Sequence, residues 1–324
     1  MLPVKTSRLL LLAALMISAA VPMMAQVNDT YVIPAAANAQ GGFGSRWMTR
    51  FSIFNPHLDY PLRISITYIP TGGAPGIEEL IDLPENAAAF SDNILGDLFG
   101  VQQASGSLLV AAFEEDNPGV PNDAFSRSFL VTSDTYNNDA GGTYGQTIAG
   151  TWTGLLDFEF DQISAVAHGI RNTGKWRTNV GALNLGRCTV TVRLNVYDAD
   201  GNKVANQIPF LVPPLGHLQQ GLPVTVDRAT VEFFVEDPCV NDDDLYAIVF
   251  PYTSTIDGQS NDPAYQSPAL LASTDVLFAK GQKIEPTAFG KKIDAAYARN
   301  VRAQAERRGV ASLKKTENGW AIAK

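Results

Sequence analysis

Histidine, cysteine and charge are scarce in this chain of 324 residues, and each shortage narrows the functions open to it. The three histidines, His57, His168 and His217, stand singly and lack the i, i+4 spacing of a zinc-protease helix. Neither a Gly-x-Ser-x-Gly elbow nor a Gly-rich phosphate loop is present. Charged residues make up only 18% of the chain, a composition typical of secreted all-β proteins. The sequence therefore predicts a protein that is not an enzyme and uses no cofactor.

Long apolar runs are also missing beyond the first residues. Lys5 and Arg8 precede an apolar run over 9–20 that is short for a bilayer span, and Ala25 suits cleavage. Residues 1–25 are thus predicted to be a signal peptide, with a membrane anchor as the alternative. The residue directly after the cleavage point is Gln26 rather than cysteine, which argues against a lipoprotein, and no later segment resembles a transmembrane helix. We therefore expect a secreted, periplasmic or cell-surface protein.

Basic residues are rare in the body of the chain and concentrated in its tail. Residues 26–279 carry 11 basic and 29 acidic side chains, whereas residues 280–324 carry 11 basic and 4 acidic ones. An acidic body argues against nucleic acid as a partner, since phosphate contacts need clustered lysine and arginine. The basic tail is expected to dock on the acidic body; binding to an anionic surface or a partner protein is the alternative.

The two cysteines, Cys188 and Cys239, are too few for a metal site. In an exported chain they are expected to form one disulfide. The closed loop of about 50 residues would contribute about 3–4 kcal/mol in the chain-entropy model.

A repeated segment is the most informative feature that the chain does contain. Three residues recur after an offset of 129 positions: Trp47, Thr49 and Asn55 return as Trp176, Thr178 and Asn184. An alternating apolar strand follows each copy, and Pro84 and Pro213 keep the same offset. The sequence therefore predicts an internal duplication.

Short alternating strands separated by turn signals predict the fold class. We expect an all-β protein of two tandem β-sandwich-like units, over 26–150 and 151–279; a closed barrel is the main alternative. Asp198-Ala199-Asp200-Gly201 is predicted to be a hairpin turn, and Asp92 to cap a helical turn over 93–99.

The basic tail, 280–324, is predicted to contain a short C-terminal helix. Apolar residues recur every fourth position over 291–308, and Gly309 ends the pattern. A tight turn over 317–319 is then expected between Leu313 and Trp320.

Two interpretations of the repeated residues are open. An exposed tryptophan can stack on a sugar ring, but Trp47 and Trp176 share a strand face with apolar residues, which favours core packing. Asn55 and Asn184 end their strands and are expected to make Asx-turn hydrogen bonds to their own backbone.

Clustered carboxylates in two loops suggest calcium, which prefers six to eight oxygen ligands. The candidate ligands are Asp242, Asp243, Asp244, Asp257 and Asp262. Solvated loop charge is the competing interpretation.

The segments Trp47-x-Thr49, Trp176-Arg177-Thr178-Asn179 and Gly142-Thr143-Tyr144-Gly145-Gln146 carry a resemblance. The chain resembles uncharacterised secreted bacterial proteins built from paired β-sandwich units. The resemblance covers most of the mature chain except the tail, and it implies no activity or ligand. Met48 and Arg50 depart from Arg177 and Asn179 of the second copy.

Together these features predict an exported, non-enzymatic surface or envelope protein whose loops bind a partner protein or a polysaccharide. The alternatives are a calcium-dependent carbohydrate-binding module and a glycan hydrolase, whose two carboxyl groups need converge only in space.

Overall fold

The computed structural model of this chain describes residues 29–121, 126–139, 142–148, 150, 163–236, 249–272, 306–316 and 319–323. These residues form β-strands almost throughout, which confirms the all-β fold class. The predicted signal peptide, 1–25, lies outside the described residues. Within the described part of the chain, no helix has the length and apolar character to cross a membrane.

The described part of the first unit contains eight strands, one short α-helix and two single-turn 3-10 helices, Gly42–Gly44 and Glu114–Asp116. The strands and the α-helix are β1 (Thr30–Gln40), β2 (Arg46–Phe54), β3 (Leu62–Pro70), β4 (Ile77–Leu83), β5 (Ala88–Ser91), α1 (Ile94–Asp97), β6 (Ala104–Ala111), β7 (Leu130–Asp139) and β8 (Gly142–Thr147). Antiparallel pairing arranges these strands in two layers, β5-β2-β7-β8 and β4-β3-β6-β1, which the tail strands described below join into one ten-stranded sheet. The end of β1 also pairs with the start of β2, so this strand joins the two layers at one side.

The second unit repeats that pairing scheme. Its strands are β9 (Ile163–Asn172), β10 (Trp176–Asn184), β11 (Val190–Tyr197), β12 (Lys203–Val212), β13 (Gly216–Gly221), β14 (Val226–Glu236), β15 (Val249–Asp257), β16 (Pro263–Gln266) and β17 (Ala269–Ala272). The layers are β13-β10-β15-β16 and β12-β11-β14-β9, with β17 added beyond β9. Each layer matches a layer of the first unit strand for strand, which supports the duplication inferred from the sequence.

Strand alternation explains why each pair of layers closes on an apolar core. In β3, Leu62, Ile64 and Ile66 point to one side and are fully buried in a core whose described members fall within 31–148. Val190, Val192 and Leu194 of β11 occupy the matching positions in a second core whose described members fall within 165–249.

A smaller apolar cluster joins the two units. Its buried members are Val32, Ile69, Leu109, Ala111 and Phe113 from the first unit and Leu183, Leu185 and Phe250 from the second. An isolated bridge between Thr71 and His217 adds backbone pairing at the same junction. The units are therefore packed directly against each other, and their junction can form a site with walls from both.

The tail differs from its prediction. Residues 306–308, predicted to end a helix, begin β18 (Glu306–Thr316), and the remainder of the predicted helix lies outside the described residues. β18 pairs antiparallel with β19 (Gly319–Ala323), so the predicted hairpin between Leu313 and Trp320 is present. β18 lies parallel to β4, and β19 lies parallel to β5. Pairing with these open edges overrides the local helical pattern.

Two predicted turns are present with one change of cap. Gly201 has a φ of 82° in the hairpin between β11 and β12, as expected for a glycine turn. The helical turn predicted over 93–99 is α1, but Asn93 rather than Asp92 caps it. The Asn93 Oδ1 accepts a hydrogen bond from the backbone N–H of Gly96 at 3.3 Å.

Candidate binding site at the junction of the two units

The repeated asparagines have the same structural role in both units. Asn55 and Asn184 are fully buried, and the Nδ2 of each lies within hydrogen-bonding distance of three backbone carbonyls. The acceptors are those of Tyr60, Leu83 and Pro84 in the first unit and of Cys188, Val212 and Pro213 in the second. Each Oδ1 accepts from the backbone N–H two residues ahead, as in an Asx turn. The asparagines thus hold a strand corner.

The repeated threonines also match. Thr49 and Thr178 are buried, and each hydroxyl lies beside that of a threonine on the neighbouring strand. The Oγ atoms are 2.9 Å apart in the pair Thr49–Thr135 and 2.8 Å apart in the pair Thr178–Thr255. These pairs join β2 to β7 and β10 to β15, so they stabilise equivalent sheets.

The repeated tryptophans have different surroundings in the two units. Neither is buried in a core, so the expectation of core packing is wrong for both. Each indole is only partly buried and stands within the first two residues of its strand. The Arg171 guanidinium lies over the Trp176 ring at 5.2 Å. Trp47 instead packs against Gly41, where an added Cβ would collide with the indole, and it lines a cavity.

That cavity lies at the junction of the two units and has a volume of about 370 Å³. The first unit contributes Trp47, Gln146 and a backbone wall from β1, and the second contributes Arg177 and Asn179. Other polar lining residues are Ser105, Thr135, His217, Gln219, Tyr252 and Ser254. One copy of the repeated segment therefore supplies the indole and the other supplies the guanidinium and amide.

A buried hydrogen-bond chain fixes one wall of the cavity. The His217 Nε2 lies 2.8 Å from the Tyr252 hydroxyl, which donates to the Gln219 Oε1 at 2.7 Å. The His217 Nδ1 lies 2.7 Å from the Thr71 Oγ1, across the junction between units. Burial lowers the pKa of His217 to about 3, so the imidazole is neutral. Burial also raises the pKa of Tyr252 well above its ordinary value, which keeps it a hydroxyl donor.

Two further contacts hold polar side chains of the cavity lining in place. The Gln146 Nε2 donates to the Ser254 Oγ at 3.2 Å and so links β8 of the first unit to β15 of the second. The Arg177 Nη2 donates to the Asn261 Oδ1 at 3.3 Å, which directs the side chain along the wall. Burial lowers the pKa of Arg177 below its ordinary value, yet a guanidinium stays charged in proteins. The cavity therefore has a cationic donor held in place beside neutral amides and hydroxyls.

Sequence reasoning did not identify this set as a site. Arg177 and Asn179 were visible only as a difference between the two copies, and Gln146 only as the end of the Gly142–Gln146 segment. The first copy has Met48 and Arg50 at the matching positions. The sequence feature that could have pointed to the cavity was thus the pair of positions at which the two copies differ, not the positions that they share.

Only two of the five candidate calcium ligands belong to the residues that the structure describes. Asp242, Asp243 and Asp244 lie outside the described residues. Asp257 and Asp262 flank the turn between β15 and β16, where the Asp257 Oδ1 accepts from the Gln259 N–H at 2.8 Å. Among the described residues, no group of three or more acidic, histidine or cysteine side chains is placed to hold a metal ion. The two described aspartates thus have a turn-forming role.

The predicted disulfide stays a prediction. Cys188 lies in the turn before β11, partly buried against the second core, where its carbonyl accepts from Asn184. Cys239 lies outside the described residues.

Fold and site together define an all-β protein of two like units with a polar, tryptophan-walled cavity at their junction. No family model matches the chain, and none of the curated proteins matches it. Two solved structures of Bacteroides uniformis β-glucuronidase, one of them covalently bound to cyclophellitol-6-carboxylate aziridine, align at 11% identity over 70% of this chain. The chain spans 26% and 24% of those structures, about a quarter of their length. With a TM-score of 0.15 in both cases, this likeness carries no argument about fold or function.

Proposed function

We propose that this chain is an exported, non-enzymatic binding protein of the cell surface or envelope, and that the junction cavity holds a saccharide unit of a polysaccharide. The observation that carries the proposal is the convergence of Trp47 with Arg177 and Asn179 on one cavity. An indole offers a flat apolar face to a sugar ring, while guanidinium and amide groups donate to its hydroxyls.

The size and rigidity of the cavity support this proposal. A volume of about 370 Å³ falls at the small end of ligand pockets, which suits one or two sugar rings rather than a long chain. The His217 and Gln146 contacts cross the junction and hold the walls before a ligand arrives. A preformed site loses less conformational entropy on binding than a flexible one.

The chemistry of the lining favours binding over turnover. The cavity-lining residues that the structure describes include an arginine, amides, hydroxyls and a neutral histidine, and none of them carries a carboxyl group. Glycoside hydrolysis generally uses a pair of carboxyl groups, one of which protonates the leaving oxygen. The described lining does not provide that pair at this cavity.

Glycan binding to the mature protein tests the proposal. We expect retention of a subset of an oligosaccharide array, and calorimetry on the retained sugars should give an affinity that Arg177→Met lowers about tenfold or more. Loss of charge-assisted hydrogen bonds of about 1.5–3 kcal/mol predicts that size of change. Methionine is the residue that the first copy carries at the matching position, 48.

Arg50→Met is the matched control. It removes one positive charge from the exposed side of β2, where the Arg50 Nε pairs with Asp92 at 3.1 Å, outside the cavity lining. Its affinity should equal that of the unmodified protein. If the array retains no glycan, or if both arginine variants bind as the unmodified protein does, the cavity is not the saccharide site.

A further inference from the structure

The tail hairpin is an addition to a unit whose topology is complete without it. Among the residues that the structure describes, the second unit builds the same two layers with no strand between β12 and β13, which correspond to β4 and β5. In the first unit, β18 and β19 fill that gap by pairing with β4 and β5. We call this gap between β4 and β5 the hairpin slot. Because the second unit lacks a counterpart, the hairpin is a separable element.

Charge complements the backbone pairing in the slot. The β4 sequence contains Glu78, Glu79 and Asp82, whereas the β18 sequence contains four basic residues, Arg307, Arg308, Lys314 and Lys315. Glu78 and Glu79 are each 1% exposed, so the strand that borders the slot carries buried acidic side chains. Burial of charge is costly without opposite charge nearby, and the basic strand supplies it in sequence.

The equivalent edge of the second unit is unsuited to a hairpin. β12 contains Pro209, which has no N–H to donate, and Gln207 adopts a positive φ of 50° where the register with β11 shifts. Proline and bulges protect edge strands from further pairing. Gln207, 129 residues after Glu78, is exposed, unlike its counterpart. Of the two equivalent edges that the structure describes, a basic hairpin therefore has one acceptor site, beside β4.

The length of chain before the hairpin allows it to reach beyond its own unit. Residues 273–305 separate β17 from β18, a stretch that at about 3.3 Å per residue can span roughly 110 Å when extended. Joining two partners through one chain makes their binding intramolecular, with an effective concentration on the order of millimolar. A hairpin from a second chain competes when the protein concentration approaches that value.

We propose that two copies of this chain exchange their β18–β19 hairpins and form a reciprocal dimer in which each slot holds the partner's hairpin. Identical contacts form within and between chains, which makes exchange a low-cost route to a dimer. Within the described residues, one slot and one hairpin per chain close the assembly at two copies, since Pro209 and the register shift protect the edge of β12. Dense display on an envelope would favour the exchanged form.

Thiol crosslinking between chains tests the exchange. Asp82 and Ser312 directly follow the paired residues Ile81 and Ala311, so cysteines at these two positions should lie side by side. The double variant Asp82→Cys/Ser312→Cys should crosslink within one chain at micromolar concentration. Full-length Asp82→Cys mixed with full-length Ser312→Cys at near-millimolar concentration should give a covalent dimer.

Two controls separate exchange from random collision. Leu211→Cys, 129 residues after Asp82 and 61% exposed, should give no dimer with Ser312→Cys above the background of the unmodified chain. Val310→Pro in the Ser312→Cys chain removes the N–H of a residue paired with Leu80, and it should abolish the dimer with Asp82→Cys. The proposal fails if the double variant closes within one chain while the mixture gives no dimer above background. It also fails if the double variant does not crosslink, or if the Leu211→Cys mixture dimerises as well as the Asp82→Cys mixture.

Discussion

The two units share their buried polar contacts but differ at their edges and at the junction. Asn55 and Asn184 each donate to three carbonyls, two of which stand at matching positions in the two units, and Thr49 and Thr178 meet equivalent threonines. By contrast, the first unit receives a hairpin beside β4, while β12 carries Pro209 and remains at an edge. The comparison teaches that satisfying buried hydrogen bonds constrains both copies, whereas edges and half-buried positions are free to acquire separate roles.

Replacing either repeated asparagine should lower the free energy of unfolding by the largest amount, and by the same amount in each unit. Asn55→Ala and Asn184→Ala each leave several buried carbonyls without a donor, which predicts a loss of about 3 kcal/mol in the free energy of unfolding. Denaturant unfolding of both variants measures the losses. If only one of the two variants lost stability, the two strand corners would not be energetically equivalent.

Acid should lower the free energy of unfolding through protonation of His217 at the junction. The first unit has Ala88 at the matching position, so this effect belongs to the second unit alone. The pKa of His217 is about 3 in the folded protein, below the ordinary 6.5, so the unfolded chain binds a proton that the folded chain excludes. The stabilisation is therefore complete above pH 6.5 and is lost as the pH falls towards 3, by about 1.4 kcal/mol per pH unit.

The variant His217→Gln checks this slope. Glutamine keeps a donor and an acceptor but does not titrate, so the fall in stability between about pH 6 and pH 4 should be shallower by the amount expected for one proton. Unfolding curves at several pH values give both slopes. Equal slopes in the two proteins would show that His217 is not the titrating group.

Loss of the paired threonine hydroxyls should be milder and again equal. Thr49→Val and Thr178→Val each remove one member of a buried hydroxyl pair and are expected to cost about 1–2 kcal/mol. Valine nearly preserves the side-chain shape, so thermal unfolding mainly reports the hydrogen bonds. A clear difference between the two costs would mean that the pairs are alike in distance but not in energy.

The cap of α1 should give the smallest effect and sharpen the contrast between units. Asn93→Ala should cost about 1 kcal/mol because the Gly96 N–H loses its acceptor. Asp92→Ala, at the position that the sequence suggested as the cap, should cost only about 0.3 kcal/mol, the value of an exposed ion pair with Arg50. If Asp92→Ala proves the costlier variant, the cap lies one residue earlier.

The fold was largely predictable because its signals are local. Alternation in β3 and β11 predicts strands, Gly201 predicts a turn, and the 129-residue offset predicts matching corners. The tail was not predictable in this way, since residues 306–308 become a strand only because β4 offers an unpaired edge. An apolar residue at every fourth position says nothing about pairing with β4, which lies far away in the sequence.

The candidate site was less predictable than the fold. Trp47 and Arg177 are 130 positions apart, and they meet only because the two units pack through the apolar cluster around Leu183 and Phe250. Tryptophan burial failed as a prediction because strand alternation gives the side of a residue but not how far the opposing layer extends. A site at a junction between units leaves no contiguous motif.

Tryptophan fluorescence during titration with an array-selected oligosaccharide tests the saccharide site most directly. If sugar stacks on the indole that walls the cavity, emission should change in the unmodified protein and in Trp176→Phe, and the change should vanish in Trp47→Phe. A response that survives in Trp47→Phe, or one that disappears in Trp176→Phe, would contradict a binding site between the two units.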